Sequence, residues 1–202
     1  MLLRMRGTKY QDRIQAAIGV HLQQGQRKTF LSDPHATITL PHGSGKQVVV
    51  AAVAPDDLHA AIREAGGEAY SANDFVDLVR SESRLHFNVV LVTPAFLTQI
   101  GPLGRYLGPA GLMPNPRSGT VTPKIVEMTE AFRKGRMNVK MDQGGDFHVP
   151  IGNNDFSVEQ LTENLAAAIE AIRAVKPTNL QGKFPTKASV ARSQGPGIKV
   201  QI

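Results

Sequence analysis

The sequence predicts an α+β first domain built from both chain ends, with an inserted three-layer α/β (Rossmann-like) domain. Three observations lead there. Between residues 46 and 132, valine-rich runs that suit buried strands alternate with helical patterns, the signature of a parallel sheet. The two ends hold a helix, short strands and hairpins, none with a sizeable core unless the ends join. Charge divides along the same line: of 23 Lys/Arg and 17 Asp/Glu, residues 46–132 hold 7 and 9, so the ends hold 16 and 8. The expected domains are therefore 1–45 with 133–202, and 46–132, with Gly43-Ser44-Gly45 and Gly135 as hinges.

In chain order, Thr8–Gln24 predicts a helix, with Thr8 and Gln11 as a capping box and Tyr10, Ile14, Ala17, Ile18 and His21 or Leu22 on one face. Thr37–Leu40 alternates as a short strand, and the cluster Pro41–Gly45 marks a boundary. Gln47–Val53 predicts a strand buried on both faces. Pro55-Asp56-Asp57 opens a helix to about Ala65, with acidic residues where the helix dipole favours them. Asn73–Arg80 predicts another helix, Asn88–Val92 a buried strand, and Pro94–Ile100 a short helix.

Gly101–Thr120 (GPLGRYLGPAGLMPNPRSGT) has five glycines and four prolines, too many for a regular helix or strand across it. Leu103, Tyr106, Leu107, Leu112 and Met113 are expected to anchor it, as a solvated linker would not be. Thr122-Pro123 then supplies an N-cap and N1 proline for a helix to about Lys134. Arg136–Met141 and Phe147–Ile151 predict a hairpin around Asp142-Gln143-Gly144-Gly145. Ser157–Val175 is the clearest helix: Ser157 and Gln160 form a capping box, and Val158, Leu161, Leu165, Ile169, Ile172 and Val175 share a face. Ala188–Ser193 and Ile198–Ile202 close the chain as a second hairpin.

Composition narrows the chemistry. With no cysteine, disulfides and thiolate metal sites are excluded. The longest apolar run, Val48–Ala54, is far too short to span a bilayer, so no membrane partner is expected. The basic start MLLRMRG lacks an apolar segment of signal-peptide length and is compatible with a transit-sequence remnant. A net charge of +6 points to a polyanionic partner.

Catalytic and cofactor motifs fail on spacing. Pro41–Lys46 lacks the first glycine of a phosphate-binding loop, and Gln47 stands where its Ser/Thr should be. Glycines spaced 3, 4 and 3 in the 101–120 loop are not a dinucleotide fingerprint, and the six histidines show no ligand spacing. No catalytic residue, metal or cofactor is expected. What remains is a set of basic residues beside glycine-containing turns: Arg133, Lys134, Arg136 and Lys140 before one, Lys183, Lys187 and Arg192 before the other. Such turns admit phosphate and ribose to backbone N–H groups, and their cations release counterions. RNA, read by shape and 2′-OH, suits them better than DNA; an ordinary solvated hairpin is the alternative.

Thr37–Val50 (TITLPHGSGKQVVV), Leu103–Val121 (LGRYLGPAGLMPNPRSGTV) and Phe147–Gly152 (FHVPIG), followed by the helix Ser157–Val175, resemble the large-subunit ribosomal protein L-one family, bacterial or organellar type. The resemblance implies a split first domain that grips the mobile stalk of large-subunit rRNA and a hinged insertion. It also implies a role in releasing deacylated tRNA from the exit site and, in some members, binding of their own mRNA as a repressor.

Carried over by position, the rRNA-facing residues are Phe30, Asp142, Gln143, Gly145, His148, Ser193, Gln194 and Gly195, joined by the cations Arg136, Lys140, Lys187 and Arg192. Arg105 and Arg117 are expected to make a secondary RNA contact near tRNA. The chain departs from the family pattern in several places. Ser193-Gln194-Gly195 replaces Thr-Met-Gly, Ala110 replaces a basic residue, Arg117 replaces lysine, and the region before Thr37 is shorter. The altered first domain points to an organellar, preferably mitochondrial, ribosome. The rival reading is an enzyme holding a nucleotide or phosphorylated ligand at the strand ends of the inserted domain; a free mRNA-binding regulator is the third.

Overall fold

The computed structural model describes residues 12–20, 35–81, 85–142, 144–176, 184–193 and 195–201. The chain divides into two compact units, Met1–Lys46 with Gly135–Ile202, and Gln47–Lys134.

The unit made of the chain ends begins with a correction. Within the expected helix Thr8–Gln24, Arg13–Gly19 is a strand, β1, while Thr8 and Gln24 lie outside the described residues. Ile14, Ala16 and Ile18 point inward and Arg13 and Gln15 outward, a period of 2 that the helical reading passed over. The deciding partners are distant in sequence. β1 runs antiparallel to both β7 (Asp146–Asn153) and β8 (Lys187–Arg192), and β9 (Ile198–Val200) completes a sheet of order β7-β1-β8-β9.

A separate antiparallel pair joins β2 (His35–Thr39) to β6 (Arg136–Lys140). The expected first hairpin is therefore not a ladder. β6 belongs to β2 and β7 to β1, and the Met141–Phe147 bridge links the two strands. At the intervening turn Gly145 has φ +92° and its carbonyl accepts from Val20 N–H at 2.9 Å, which carries the chain from one sheet to the other.

The long helix, α6 by chain order (Val158–Ala174), starts at the Ser157–Gln160 capping box. Its Ala168, Ile169 and Ile172 are buried among Ile14, Ile18, Ile38, Phe147 and Val149, with Leu161 and Leu165 packed alongside. Val158 departs from the expected apolar face and is 62% exposed, because it sits in the first turn beyond the sheet. Asn164, fully buried, ties α6 to its surroundings: its amide donates to the carbonyls of Gly43 and Ile151 and its oxygen accepts from His42 N–H, all within 3.1 Å.

The middle unit holds three parallel strands, β3 (Val50–Val53), β4 (Glu68–Tyr70) and β5 (Val89–Val92), in the order β4-β3-β5. β4 carries no apolar run and was not expected from sequence. Pro55-Asp56-Asp57 leads through a 3-10 turn into α1 (His59–Glu64), and α2 is Ala72–Ser81. Ala51, Val53, Val90 and Val92 pack with Phe75 and Val79 of α2, while Val50, Ala52 and Leu91 pack with Ile62 of α1 and with Ile125 and Phe132 of α5 (Ile125–Arg133). Alternate strand residues thus feed two cores.

The expected N1 proline is displaced: Lys124 caps α5, and Thr122 Oγ1 accepts from its N–H at 3.2 Å. The expected helix Pro94–Ile100 is a 3-10 turn followed by α3 (Leu97–Ile100). The glycine-rich stretch then contains α4 (Gly104–Leu107) between 3-10 turns at Gly101–Leu103 and Pro116–Ser118. Leu103 and Leu107 anchor it as expected, whereas Tyr106 and Met113 are 48% and 39% exposed.

Candidate nucleic-acid interface

The turn after β6 is held by one carboxylate. Asp142 Oδ1 accepts from Asp146 N–H at 2.8 Å, Asp142 Oδ2 lies 3.2 Å from His148 Nε2, and the Asp142 main chain closes the turn with Asp146 and Gly145. The Asp146 N–H, followed by the His148 ring, holds the Asp142 carboxyl below the usual carboxylate range. Lys187 reaches the same end of the sheet, with Nζ 3.4 Å from Asp146 Oδ1. Between them lies Gly19, where an added Cβ would fall 2.1 Å from Lys187 Cε and 2.6 Å from Asp146 Oδ1. The absence of a side chain at Gly19 lets these two charges meet.

Opposite α6 the sheet turns its other face outward. His148, Ala17, Ser189 and Lys199 stand in register as one row across β7, β1, β8 and β9. His148 and Lys199 are exposed, and small residues occupy the middle of the row. Gln15 with Ala191 and Pro150 makes the next row along. A shelf with small centres and polar edges admits a sugar–phosphate backbone closely, and its cations supply counterion release.

The sequence-derived residues fall into separate groups. Asp142, Gly145, His148 and Lys187 come together at one end of the sheet. Ser193 lies just past the far end of β8, roughly 20 Å from Lys187 by strand rise, with Gly195 beyond it. Ser193 is exposed, and its N–H and hydroxyl both donate to the Arg13 carbonyl, at 3.0 and 3.2 Å. Lys140 is exposed at the end of β6 nearest Asp142, whereas Arg136 is half-buried at the opposite end. Phe30, Gln143 and Gln194 lie outside the described residues.

Arg192 requires correction. Its side chain is 5% exposed and its Nη2 donates to Asp12 Oδ2 at 2.7 Å, so this cation faces inward and is not presented to solvent. Residue alternation explains it: on β8, Ala188, Val190 and Arg192 share the inward face, while Lys187, Ser189 and Ala191 face out. Sequence reasoning missed Ala17, Ser189 and Lys199. The period-2 pattern of Arg13–Gly19 is compatible with a strand, but the register that joins these residues is set by the pairing with β7, β8 and β9.

In the middle unit, Arg105 is exposed on α4, and Arg117 is exposed on a turn fastened from within. Asn115 Oδ1 accepts from Arg117 N–H at 3.0 Å, and buried Ser118 and Thr120 both donate to the Asn115 carbonyl. Among the described residues no group of His, Asp and Glu side chains could hold a metal ion, and no helix is long and apolar enough to cross a membrane.

Comparison with known proteins gives the family. The model of the "Ribosomal protein L1p/L10e family" matches residues 8–196. "Large ribosomal subunit protein uL1" of Thermosipho melanesiensis is 41% identical over 165 residues, 82% of this chain and 71% of the relative. The protein of the same name from Kosmotoga olearia is 36% identical over 200 residues, 99% of this chain and 85% of the relative. That from Streptomyces griseus is 36% identical over 191 residues, 95% and 78% of the two chains. With its split antiparallel unit, its parallel insertion and these relatives across nearly its whole length, the chain belongs to the ribosomal protein L1p/L10e family.

Proposed function

We propose that this protein is a non-catalytic constituent of the large ribosomal subunit that grips the mobile rRNA stalk with the unit formed by its two ends and assists release of deacylated tRNA from the exit site. The observation that carries the reading is the open sheet face, where the row His148–Ala17–Ser189–Lys199 runs beside a turn held by Asp142. Lys140, Asp142, Gln143, Gly145, His148, Lys187, Ser193, Gln194 and Gly195 supply the stalk contacts in this proposal, with Phe30 as the family's apolar contact. Arg136, half-buried, is peripheral to them.

Arg105 and Arg117 serve the second contact, toward tRNA or neighbouring rRNA. The protein's own mRNA, where it presents the same RNA shape, would use the same sheet face. The middle unit, with helix residues packed on alternate strand positions, is read as a three-layer Rossmann-like domain, and Gly43, Gly45 and Gly135 as the hinge between domains. The ribosome is the proposed location. The three relatives compared are bacterial, so they lend no support to the mitochondrial placement expected from the shortened, altered first domain.

Titration of a stalk-rRNA fragment against salt tests the proposal. Log K should fall with log salt by roughly 0.7 to 0.9 per phosphate contact. Micromolar nucleotide binding alongside weak, salt-insensitive RNA affinity would overturn it in favour of a nucleotide-binding enzyme.

A further inference from the structure

The only charged pair buried on both sides among the described residues joins Asp12 to Arg192, 180 residues apart, with side chains 6% and 5% exposed. Its neighbours in sequence make the adjoining main-chain rung. Arg13, next to Asp12, offers the carbonyl that accepts both the N–H and the hydroxyl of Ser193, next to Arg192. The chain then folds back on the arginine: Gly195 N–H donates to Arg192 O at 3.0 Å, and a Cβ on Gly195 would lie 3.2 Å from Arg192 Cβ. The base of Arg192 thus lies under Ser193 and Gly195, and its guanidinium is the anchor beneath.

We propose that Asp12 and Arg192 are positioning residues for the RNA-facing Ser193 and Gly195, with no contact to RNA of their own. The inference rests on the stalk-binding reading above. A charge-assisted hydrogen bond from a guanidinium to a carboxylate fixes direction as well as distance, which an apolar contact of similar volume does not. The pair therefore sets where Ser193 and Gly195 stand relative to β1, even though burying two charges is poor evidence for added stability.

Two variants test this. Asp12→Asn removes the charge and keeps the shape; Asp12→Leu with Arg192→Met removes both charges and keeps an apolar filling, so that the fold survives if the first variant does not. In each, amide exchange at Ser193 and Gly195 should rise about tenfold while Ile169 in α6 exchanges as in the parent. Affinity for the stalk-rRNA fragment should fall about tenfold with the salt slope unchanged.

Unaltered turn amides would overturn the proposal whatever the RNA does, and so would faster exchange with unaltered affinity. A salt slope reduced by roughly 0.7 in an Arg192→Gln chain, but not in Asp12→Asn, would make Arg192 a direct phosphate ligand instead. Failure of the parent protein to bind the fragment would sink the stalk-binding reading, while the exchange measurement would still decide whether the pair orders the turn.

Discussion

At the scale of single residues, Asp142 does for the 142–146 turn what a strand partner does elsewhere: its carboxylate and carbonyl take up the amides of Asp146 and Gly145. Because the Asp146 N–H favours the charged form, the folded carboxyl titrates below its unfolded counterpart. The turn's contribution is then complete above about pH 4 and is lost as pH falls through the depressed folded value. The protection factor of the Asp146 amide, with the intrinsic pH dependence of exchange divided out, should fall as pH is lowered below the ordinary carboxylate range, and Asp142→Asn should remove that fall. Glycine at 145 is demanded by φ +92° and by Val20 O, 2.9 Å from an added Cβ. Gly145→Ala should cost at least about 1 kcal/mol, read from the denaturant midpoint. Gly135→Ala should cost more, since its φ is +116° and its Cβ would meet Gly43 Cα and Leu40 O at 2.7 Å.

At the scale of elements, α6 shows two kinds of fastening that differ in worth. Ser157 and Gln160 satisfy amides at an exposed helix start, and Ser157→Ala should cost about 1 kcal/mol. Asn164 satisfies three backbone groups in or near the core, two of them in the turn His42-Gly43. Asn164→Leu should cost about 2 to 3 kcal/mol, because the buried Ile151 carbonyl loses its partner outright and His42 and Gly43 lose part-buried ones. Equal denaturant slopes with a larger midpoint shift for Asn164→Leu would be the expected pattern; equal midpoints would refute the ranking. α6 was also the most legible element in sequence, since cap and apolar stripe lie within a single stretch. β1 was the least: Ile14, Ala17 and Ile18 satisfy a helix template and Ile14, Ala16 and Ile18 a strand template, and nothing within Arg13–Gly19 chooses between them.

At the scale of the molecule, the excess positive charge lies in the chain ends, while the middle segment is slightly acidic. Charge reversal should therefore act differently in the two units. Lys199→Glu should weaken stalk-RNA binding and reduce the salt slope by roughly 0.7 to 0.9, as loss of one phosphate contact requires. Arg117→Glu should leave stalk affinity within about twofold, because it stands on a turn of the middle unit. Equal losses from both substitutions would argue against separate RNA contacts.

The sequence by itself determined the parallel sheet of the middle segment, a first domain drawn from both ends, the capped helix after Ser157 and the basic, glycine-tipped turns. All of these are written in local periodicity, turn chemistry and charge, which need no distant partner to be seen. Only the tertiary structure decided that Arg13–Gly19 is a strand, that β6 and β7 belong to different sheets, and that Ser189 and Lys199 join His148 in one row. It also turned Arg192 inward onto Asp12. The physical reason is common to all four: a strand's pairing and facing are set by the strand beside it, and for β1 both neighbours lie more than a hundred residues away.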